Sequence, residues 1–204
     1  MSRRTGLVVV LALLCLGLGL TPYFAQRGLG KTQTFEEPQL PVLWQAPNFT
    51  LTGPGGVPFD SESLKGKIWV VDFFLTSCEG ACPVMASNFK KLYKAFENDS
   101  RVHFVSITTD PDVDNPDVLS QYAERYQADT SRWHFLTGPK AELDRLMGEQ
   151  GFKVGVPETP MAHTQRFLLV DSQGNLRSLY SGVEDQSIPL LTADINLLIQ
   201  DWPQ

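Results

Sequence analysis

The chain has 204 residues, of which 42% are hydrophobic and 20% are charged, so its composition is that of a globular protein. Its net charge is −6, and it has no basic run beyond the first few residues, which argues against a nucleic-acid partner. Three cysteines are too few for a disulfide-stapled scaffold. Because Cys15 lies in a separate hydrophobic segment, Cys78 and Cys82 are the plausible pair.

Residues 1–26 are predicted to be a membrane anchor or a signal segment. Arg3 and Arg4 precede an uncharged run that begins at residue 7 and is long enough to cross a bilayer as a helix. The positive-inside rule keeps the arginines in the cytoplasm, so the remainder would lie in the periplasm of a bacterium. A cleaved signal peptide is the alternative, but residues 23–25 match a cleavage site poorly. We therefore expect a single-pass anchor in the bacterial inner membrane.

Residues 27–45 are predicted to form a tether, because glycines and prolines interrupt them and they sustain no hydrophobic periodicity. The folded domain is expected to span residues 46–204. At its start, two short extended segments at 48–51 and 56–59 flank Gly53-Pro54-Gly55, which predicts a β-hairpin.

Predicted strands and helices alternate along the rest of the domain. They are, in chain order, a strand at 68–75, a helix at 84–98, a strand at 102–107, a helix from Pro116 with Asn115 as its N-cap, a short strand at 135–136, a helix at 142–150, a hairpin at 167–180 and a helix that carries Leu191, Ile195, Leu198 and Ile199. This order predicts an α/β fold in which a mixed sheet is flanked by helices on both faces.

The segment Ser77-Cys78-Glu79-Gly80-Ala81-Cys82-Pro83 joins the first long strand to the first helix, a common place for chemistry in α/β proteins. A residue before proline avoids the helical region, and proline favours the first helical position. We therefore expect Cys82 to be the N-cap, with residues 78–81 in a loop above it. The helix N-terminus would then favour the thiolate forms of both cysteines.

Two thiolates at this spacing are able to bind Cu(I) or zinc, or to close a disulfide. The alternative is a purely structural role, in which the two cysteines form a structural disulfide or remain as two buried thiols. His163, just before the strand at residue 167, completes a Cys₂His set. That set is one ligand short of a structural zinc site, which favours copper.

Other polar residues carry weaker indications. Asp72 interrupts the apolar strand and is either a buried proton acceptor for thiol chemistry or an aspartate at a strand edge. His103 and His134 are predicted to be structural or surface histidines. The acidic segment 110–114 lacks the glycine and the closing glutamate of an EF-hand, so turn and capping roles are expected rather than calcium binding.

Three segments of the chain resemble the Sco/SenC proteins. Residues 72–83 are similar to that family's Cys-x-x-x-Cys-Pro segment. Residues 106–116, continued by 133–138, are similar to its segment after the next strand. His163-Thr164, ahead of residues 167–171, is similar to its ligand histidine and the strand that follows. The resemblance covers roughly residues 46–202, and the N-terminal anchor also fits it.

The resemblance implies a thioredoxin-like fold and a membrane-tethered copper protein that assists assembly of the binuclear copper centre of cytochrome c oxidase. It implies Cys78, Cys82 and His163 as ligands of Cu(I) or Cu(II). The implied partners are the copper-site subunit of the oxidase and other periplasmic copper or thiol carriers. One departure is Glu79, where many members have proline, which alters the loop and its local charge.

The same segment also bears on two other activities. Asp72 sits where thioredoxins keep a buried aspartate, which supports a thiol-disulfide reductase that keeps the oxidase copper-site cysteines reduced. A peroxidase is disfavoured, because peroxiredoxins usually have threonine three residues before the reactive cysteine, whereas Thr76 is two before Cys78.

Overall fold

The computed structural model describes residues 40–154 and 165–202. The strands in these ranges are, in chain order, Trp44–Gln45 (β1), Thr50–Thr52 (β2), Pro58–Asp60 (β3), Ile68–Phe74 (β4), Val102–Thr108 (β5), Trp133–Leu136 (β6), Arg166–Val170 (β7) and Asn175–Ser181 (β8). Six of them form one sheet in the order β1-β8-β7-β4-β5-β6, and β2 pairs with β3 as the predicted antiparallel hairpin.

Four α-helices connect or follow these strands in the described ranges. They are Ala81–Ala95 (α1), Pro116–Tyr126 (α2), Lys140–Met147 (α3) and Ser187–Gln200 (α4). Asn115 caps α2 as predicted, since its side chain accepts hydrogen bonds from the N–H groups of Asp117 and Val118. The sequence did not predict β1, because two residues are too few to show a period.

The central strand β4 is buried along its whole length, as its nearly continuous apolar sequence predicts. It runs parallel to β5 and antiparallel to β7, so the sheet is mixed. In the parallel register Ile68 lies opposite Val102 and Phe74 lies opposite Thr108. Both strands therefore end at the same edge of the sheet, and the loops that follow them are neighbours.

Side chains of β4 alternate between two cores, one on each face of the sheet. Val70 and Phe74 contribute to the core that also contains side chains of α1, α2 and α4. Val71 and Phe73 contribute to the core that contains side chains of α3 and of the β2–β3 hairpin. This confirms the predicted α/β architecture with helices on both faces.

In residues 40–154 and 165–202, no helix is both long enough and apolar enough to span a membrane. The predicted anchor lies outside these ranges, as does most of the predicted tether.

Candidate functional site

Cys78 and Cys82 lie between the end of β4 and the first turn of α1. The helix begins at Ala81 with Gly80 as its N-cap, so Cys82 is the second helical residue and not the predicted N-cap. Proline is tolerated here because N–H groups of the first turn have no acceptor within the helix. The helical backbone therefore holds Cys82, whereas Cys78 stays in the loop.

The two thiols are free and lie within hydrogen-bonding reach of each other. Cys82 is only 6% exposed, because it faces the protein interior from the first turn of α1. Cys78 is half-buried, and its Sγ accepts a hydrogen bond from the N–H of Gly80 at 3.4 Å. The pair thus has an accessible member and a protected member, and its two sulfurs converge.

Local environment shifts the pKa values of the two thiols in opposite directions. Burial acts to raise the pKa of Cys78, but hydrogen bonds from the Cys82 thiol and from N–H groups of Cys82, Gly80 and Ala81 lower it overall. Burial, and after it the hydrogen bond with Cys78, raise the pKa of Cys82 to about 12. The predicted stabilisation of thiolates by the helix N-terminus therefore applies to Cys78 alone.

Asp72 lies in the middle of the sheet and not at a strand edge. It is 3% exposed, pairs with Ser106 of β5 and, by alternation with Val70, points to the face of the sheet that α1 covers. The hydroxyl of Ser106 donates to Asp72 Oδ1 at 2.5 Å and accepts a hydrogen bond from Trp133 Nε1 at 2.9 Å.

Burial raises the pKa of Asp72 to about 7, and the hydrogen bond from Ser106 lowers it only in part. Its charge acts to raise the pKa of Cys82, which places this carboxyl close enough to influence the buried thiol. A carboxyl that gains and loses its proton near neutrality suits a proton acceptor. That role for Asp72 stays a prediction.

Asp114 is a residue of this region that the sequence analysis did not identify, because segment 110–114 was assigned to a turn. Its side chain is fully buried, and its carboxylate accepts hydrogen bonds from the hydroxyls of Thr76 and Thr108 and from the N–H of Thr76. The sequence signal that could have identified Asp114 is a pair of threonines, Thr76 just beyond β4 and Thr108 at the end of its parallel neighbour β5. Asp114 thus links the cysteine loop to the loop after β5.

Of the three histidines, the structure describes His103 and His134. His163 lies outside the described residues, so its place in a Cys₂His set stays a prediction. His103 and His134 are half-buried neighbours on β5 and β6, with His103 Nδ1 3.3 Å from His134 Nε2. Burial lowers the pKa of each to about 4, and each ring is therefore neutral at pH 7.

The potential metal ligands near α1 are sulfur atoms, which suit a soft metal ion. Cys78 and Cys82 supply converging sulfurs, the atoms that Cu(I) prefers. Within the described ranges, no group of three or more histidine, cysteine, aspartate or glutamate side chains is arranged to hold a metal ion. The two thiols therefore need a further ligand from elsewhere, such as the predicted His163, or a partner.

Comparisons with known proteins identify relatives of the whole domain. The SCO1/SenC family model matches residues 43–200. The Bacillus subtilis "SCO1 protein homolog" is 30% identical over 160 residues, 76% of this chain and 83% of that protein. The "Putative copper-binding protein" of Stutzerimonas stutzeri is 31% identical over 139 residues, 67% of this chain and 65% of that protein.

Solved structures show the same fold. The structure of BsSco, described as a member of the Sco family of cytochrome c oxidase assembly proteins with a disulfide switch, superposes with a TM-score of 0.70. Its sequence is 29% identical, and the match covers 81% of this chain and 99% of that one. The mixed sheet and its flanking helices are therefore the thioredoxin-like Sco fold, as the resemblance of the sequence implied.

Proposed function

The chain belongs to the SCO1/SenC family, and we propose that it is a copper chaperone that delivers copper to the binuclear copper centre of cytochrome c oxidase. The observation that carries the proposal is the pair of free thiols, Cys78 and Cys82, that lie beside each other at the N-terminus of α1. The names of two relatives add support, one referring to copper binding and the other to cytochrome c oxidase assembly.

In the proposed site, the copper ion is cargo held by Cys78, Cys82 and His163. The protected Cys82 would anchor the ion, whereas the accessible Cys78 is the ligand that an incoming donor atom of the partner reaches first. Replacing the ligands one at a time lets copper pass to the oxidase subunit without being released into solvent. An anchor over residues 1–26 would hold the domain at the periplasmic face of the inner membrane, beside that partner.

Copper titration tests the proposed ligands directly. The full chain in detergent is titrated with Cu(I) and Cu(II), and stoichiometry and copper–thiolate absorption are recorded for the wild type, Cys78→Ser, Cys82→Ser and His163→Ala. We expect stoichiometric copper in the wild type and loss of the absorption band in all three variants. Cys15→Ser is the matched control and should bind copper as the wild type does.

Two results would contradict the proposal. Unchanged copper binding after His163→Ala would remove the histidine from the ligand set. Stoichiometric copper in the chain that carries both Cys78→Ser and Cys82→Ser would place the copper site elsewhere and refute the proposed function itself.

A thiol-disulfide reductase is the second candidate, and the unequal exposure of the two sulfurs favours it. The thiolate of Cys78 would attack a disulfide of the partner, forming a mixed disulfide and releasing one partner thiolate. Cys82, after losing its proton to a base such as Asp72, would attack Cys78 Sγ and release the second partner thiolate. The partner disulfide is then reduced and Cys78–Cys82 is oxidised. The disulfide switch described for BsSco is consistent with such a cycle.

Trapping separates this candidate from the chaperone. With an oxidised peptide that carries two cysteines of the oxidase copper site, Cys82→Ser should accumulate a mixed disulfide through Cys78, and Cys78→Ser should not. A wild type that delivers copper to the reduced peptide but never reduces the oxidised one would rule the reductase out.

A further inference from the structure

The buried carboxylate of Asp114 is the central acceptor of a hydrogen-bonded cluster next to the cysteine loop. Its Oδ2 accepts from the N–H of Thr76 at 3.2 Å and from the hydroxyl of Thr108, while its Oδ1 accepts from the hydroxyl of Thr76. The side chain is 0% exposed, so the carboxylate finds its hydrogen-bond partners within the protein and not in solvent. We call Asp114, Thr76 and Thr108 the Asp114 cluster.

The Asp114 cluster joins the loop after β4 to the connection between β5 and α2, 38 positions further along the chain. Thr76 follows β4, Thr108 ends β5, and Asp114 precedes α2. Backbone hydrogen bonds support the same junction: the N–H of Thr109 donates to the carbonyl oxygen of Phe74 at 2.8 Å. The carboxylate is therefore held rigidly relative to the end of the sheet.

Thr76 lies two residues before Cys78. Along the loop from β4 to Cys78, Thr76 is the last described residue that hydrogen-bonds to another part of the chain, and its partner is Asp114. Beyond this point Cys78 Sγ accepts from the N–H of Gly80, the N-cap of α1, and lies beside the thiol of Cys82 in the first turn of that helix. The position of Cys78 relative to Cys82 thus depends on where Asp114 holds Thr76.

We propose that Asp114 is a positioning residue for the thiol pair: through Thr76 it sets the approach of Cys78 to Cys82 and thereby the equilibrium between the dithiol and the disulfide. A fixed approach raises the effective concentration of one sulfur at the other. Releasing Thr76 lets Cys78 sample positions far from Cys82, which disfavours the disulfide. The consequence for copper rests on the proposed function, whereas the thiol equilibrium is a property of the pair alone.

Two substitutions of Asp114 distinguish the effect of losing its hydrogen bonds from the effect of changing its side chain. Asp114→Ala removes all three acceptor contacts. Asp114→Asn keeps them, because an amide oxygen in place of Oδ2 accepts from Thr76 N–H and Thr108, while the amide N–H₂ donates to a Thr76 hydroxyl that rotates to accept.

Asp171 offers a matched control at the opposite edge of the sheet. It is 5% exposed and accepts hydrogen bonds from the N–H groups of Gln173 and Asn175 and from Arg177 Nη1, at 2.8–2.9 Å. It directly follows β7, whose last residue pairs with Trp69 near the start of β4. Asp171→Ala therefore removes a comparable buried carboxylate far from the cysteines.

The experiment uses the metal-free full chain in detergent, with Cys15→Ser in every variant so that only the pair reports. Each protein is equilibrated with reduced and oxidised glutathione, and the fraction of Cys78–Cys82 disulfide is quantified. One oxidised glutathione accepts the two electrons of the pair and yields two reduced glutathione molecules. A thermal melt of each variant records stability separately.

We expect Asp114→Ala to lower the equilibrium constant for disulfide formation about tenfold, the scale of one lost hydrogen bond to a charged group. Asp114→Asn should stay within about threefold of the wild type, and Asp171→Ala within about twofold, as expected for a distant independent site. A wild-type value for Asp114→Ala, or an equal shift for Asp171→Ala, would overturn the proposal.

Thr76→Val keeps the inference testable if Asp114→Ala does not fold. It removes only the hydroxyl donor and leaves the Thr76 N–H bond to Asp114, so a fall of about threefold is expected. An unchanged equilibrium in this variant would overturn the proposal. A wild type that binds no copper would refute the proposed function but would leave this thiol equilibrium, measured without metal, unaffected.

Discussion

Two regions of the molecule pair side chains that metal ions commonly bind, yet only one of them suits a cation. Near α1, Cys78 and Cys82 converge, and hydrogen bonds lower the pKa of Cys78, which favours the thiolate that binds a cation. On β5 and β6, His103 and His134 face each other, but the charges of Arg132 and Lys67 act to lower the pKa of His103. The same two positive charges would repel a metal ion.

The packing of the two regions differs as well. The histidine pair contacts Phe59, whose ring centroid lies 4.5 Å from that of His134, so this pair is also part of a packed aromatic surface. The cysteine pair combines a protected sulfur with an accessible one. Residue type alone makes both pairs candidates for metal binding, and it is their surroundings that distinguish them.

Copper binding should show the largest difference between the regions. The double variant Cys78→Ser with Cys82→Ser should lose stoichiometric copper entirely, because no thiolate remains near α1. The double variant His103→Ala with His134→Ala should keep the full stoichiometry. Titration of both variants in parallel measures this, and copper loss from the histidine variant would erase the proposed distinction.

Asp72 should make stability fall as the pH rises. Its pKa is about 7 in the fold against 3.8 in its unperturbed state, so between these values the native state holds a proton that the unfolded chain has lost. The stability that Asp72 contributes is therefore complete below pH 3.8 and lost as the pH rises toward 7. The change is at most about 4 kcal/mol, from 1.36 kcal/mol per pKa unit.

Urea unfolding of the wild type and Asp72→Asn at pH 4 and pH 7 checks this. The asparagine keeps an acceptor for Ser106 but does not titrate, so the wild type should lose more stability between the two pH values than the variant. Equal changes in both proteins would mean that folding does not shift the pKa of Asp72.

Ser106 should have an intermediate effect, because it lies between the two regions. Its hydroxyl donates to Asp72 and accepts from Trp133, the residue before His134. Ser106→Ala leaves both buried groups without this partner, and we expect it to reduce the free energy of unfolding by about 1–3 kcal/mol. Ser87→Ala on the exposed face of α1 is the control and should stay within about 0.5 kcal/mol of the wild type.

His134 should give a smaller effect than Asp72, with the opposite sign. Its pKa is about 4 in the fold against 6.5 in the unperturbed state, so in this window the unfolded chain binds more protons. The stability that the ring contributes is present above pH 6.5 and is lost as the pH falls toward 4. His134→Gln should reduce that loss in urea unfolding at pH 4.5 and pH 6.5. A wild type and a variant that respond identically to pH would show that the ring is protonated without cost.

Local patterns in the sequence predicted much of the fold. The uninterrupted apolar run of β4 indicated a strand covered on both faces, and the Asn115-Pro116 pair indicated the start of α2, since both properties depend only on neighbouring residues. The start of α1 was misplaced by the general rule for residues before proline, which a first helical turn tolerates.

The sequence by itself determined most of the strands and helices, the spacing of Cys78 and Cys82, and the family to which the chain belongs. Only the tertiary structure decided which sulfur is buried, that Asp72 lies inside the sheet, and that Asp114 holds Thr76. The last two facts depend on contacts between residues that the parallel register of β4 and β5 brings together across more than thirty positions of the chain. Periodicity reports only on near neighbours, so it carries no record of such contacts.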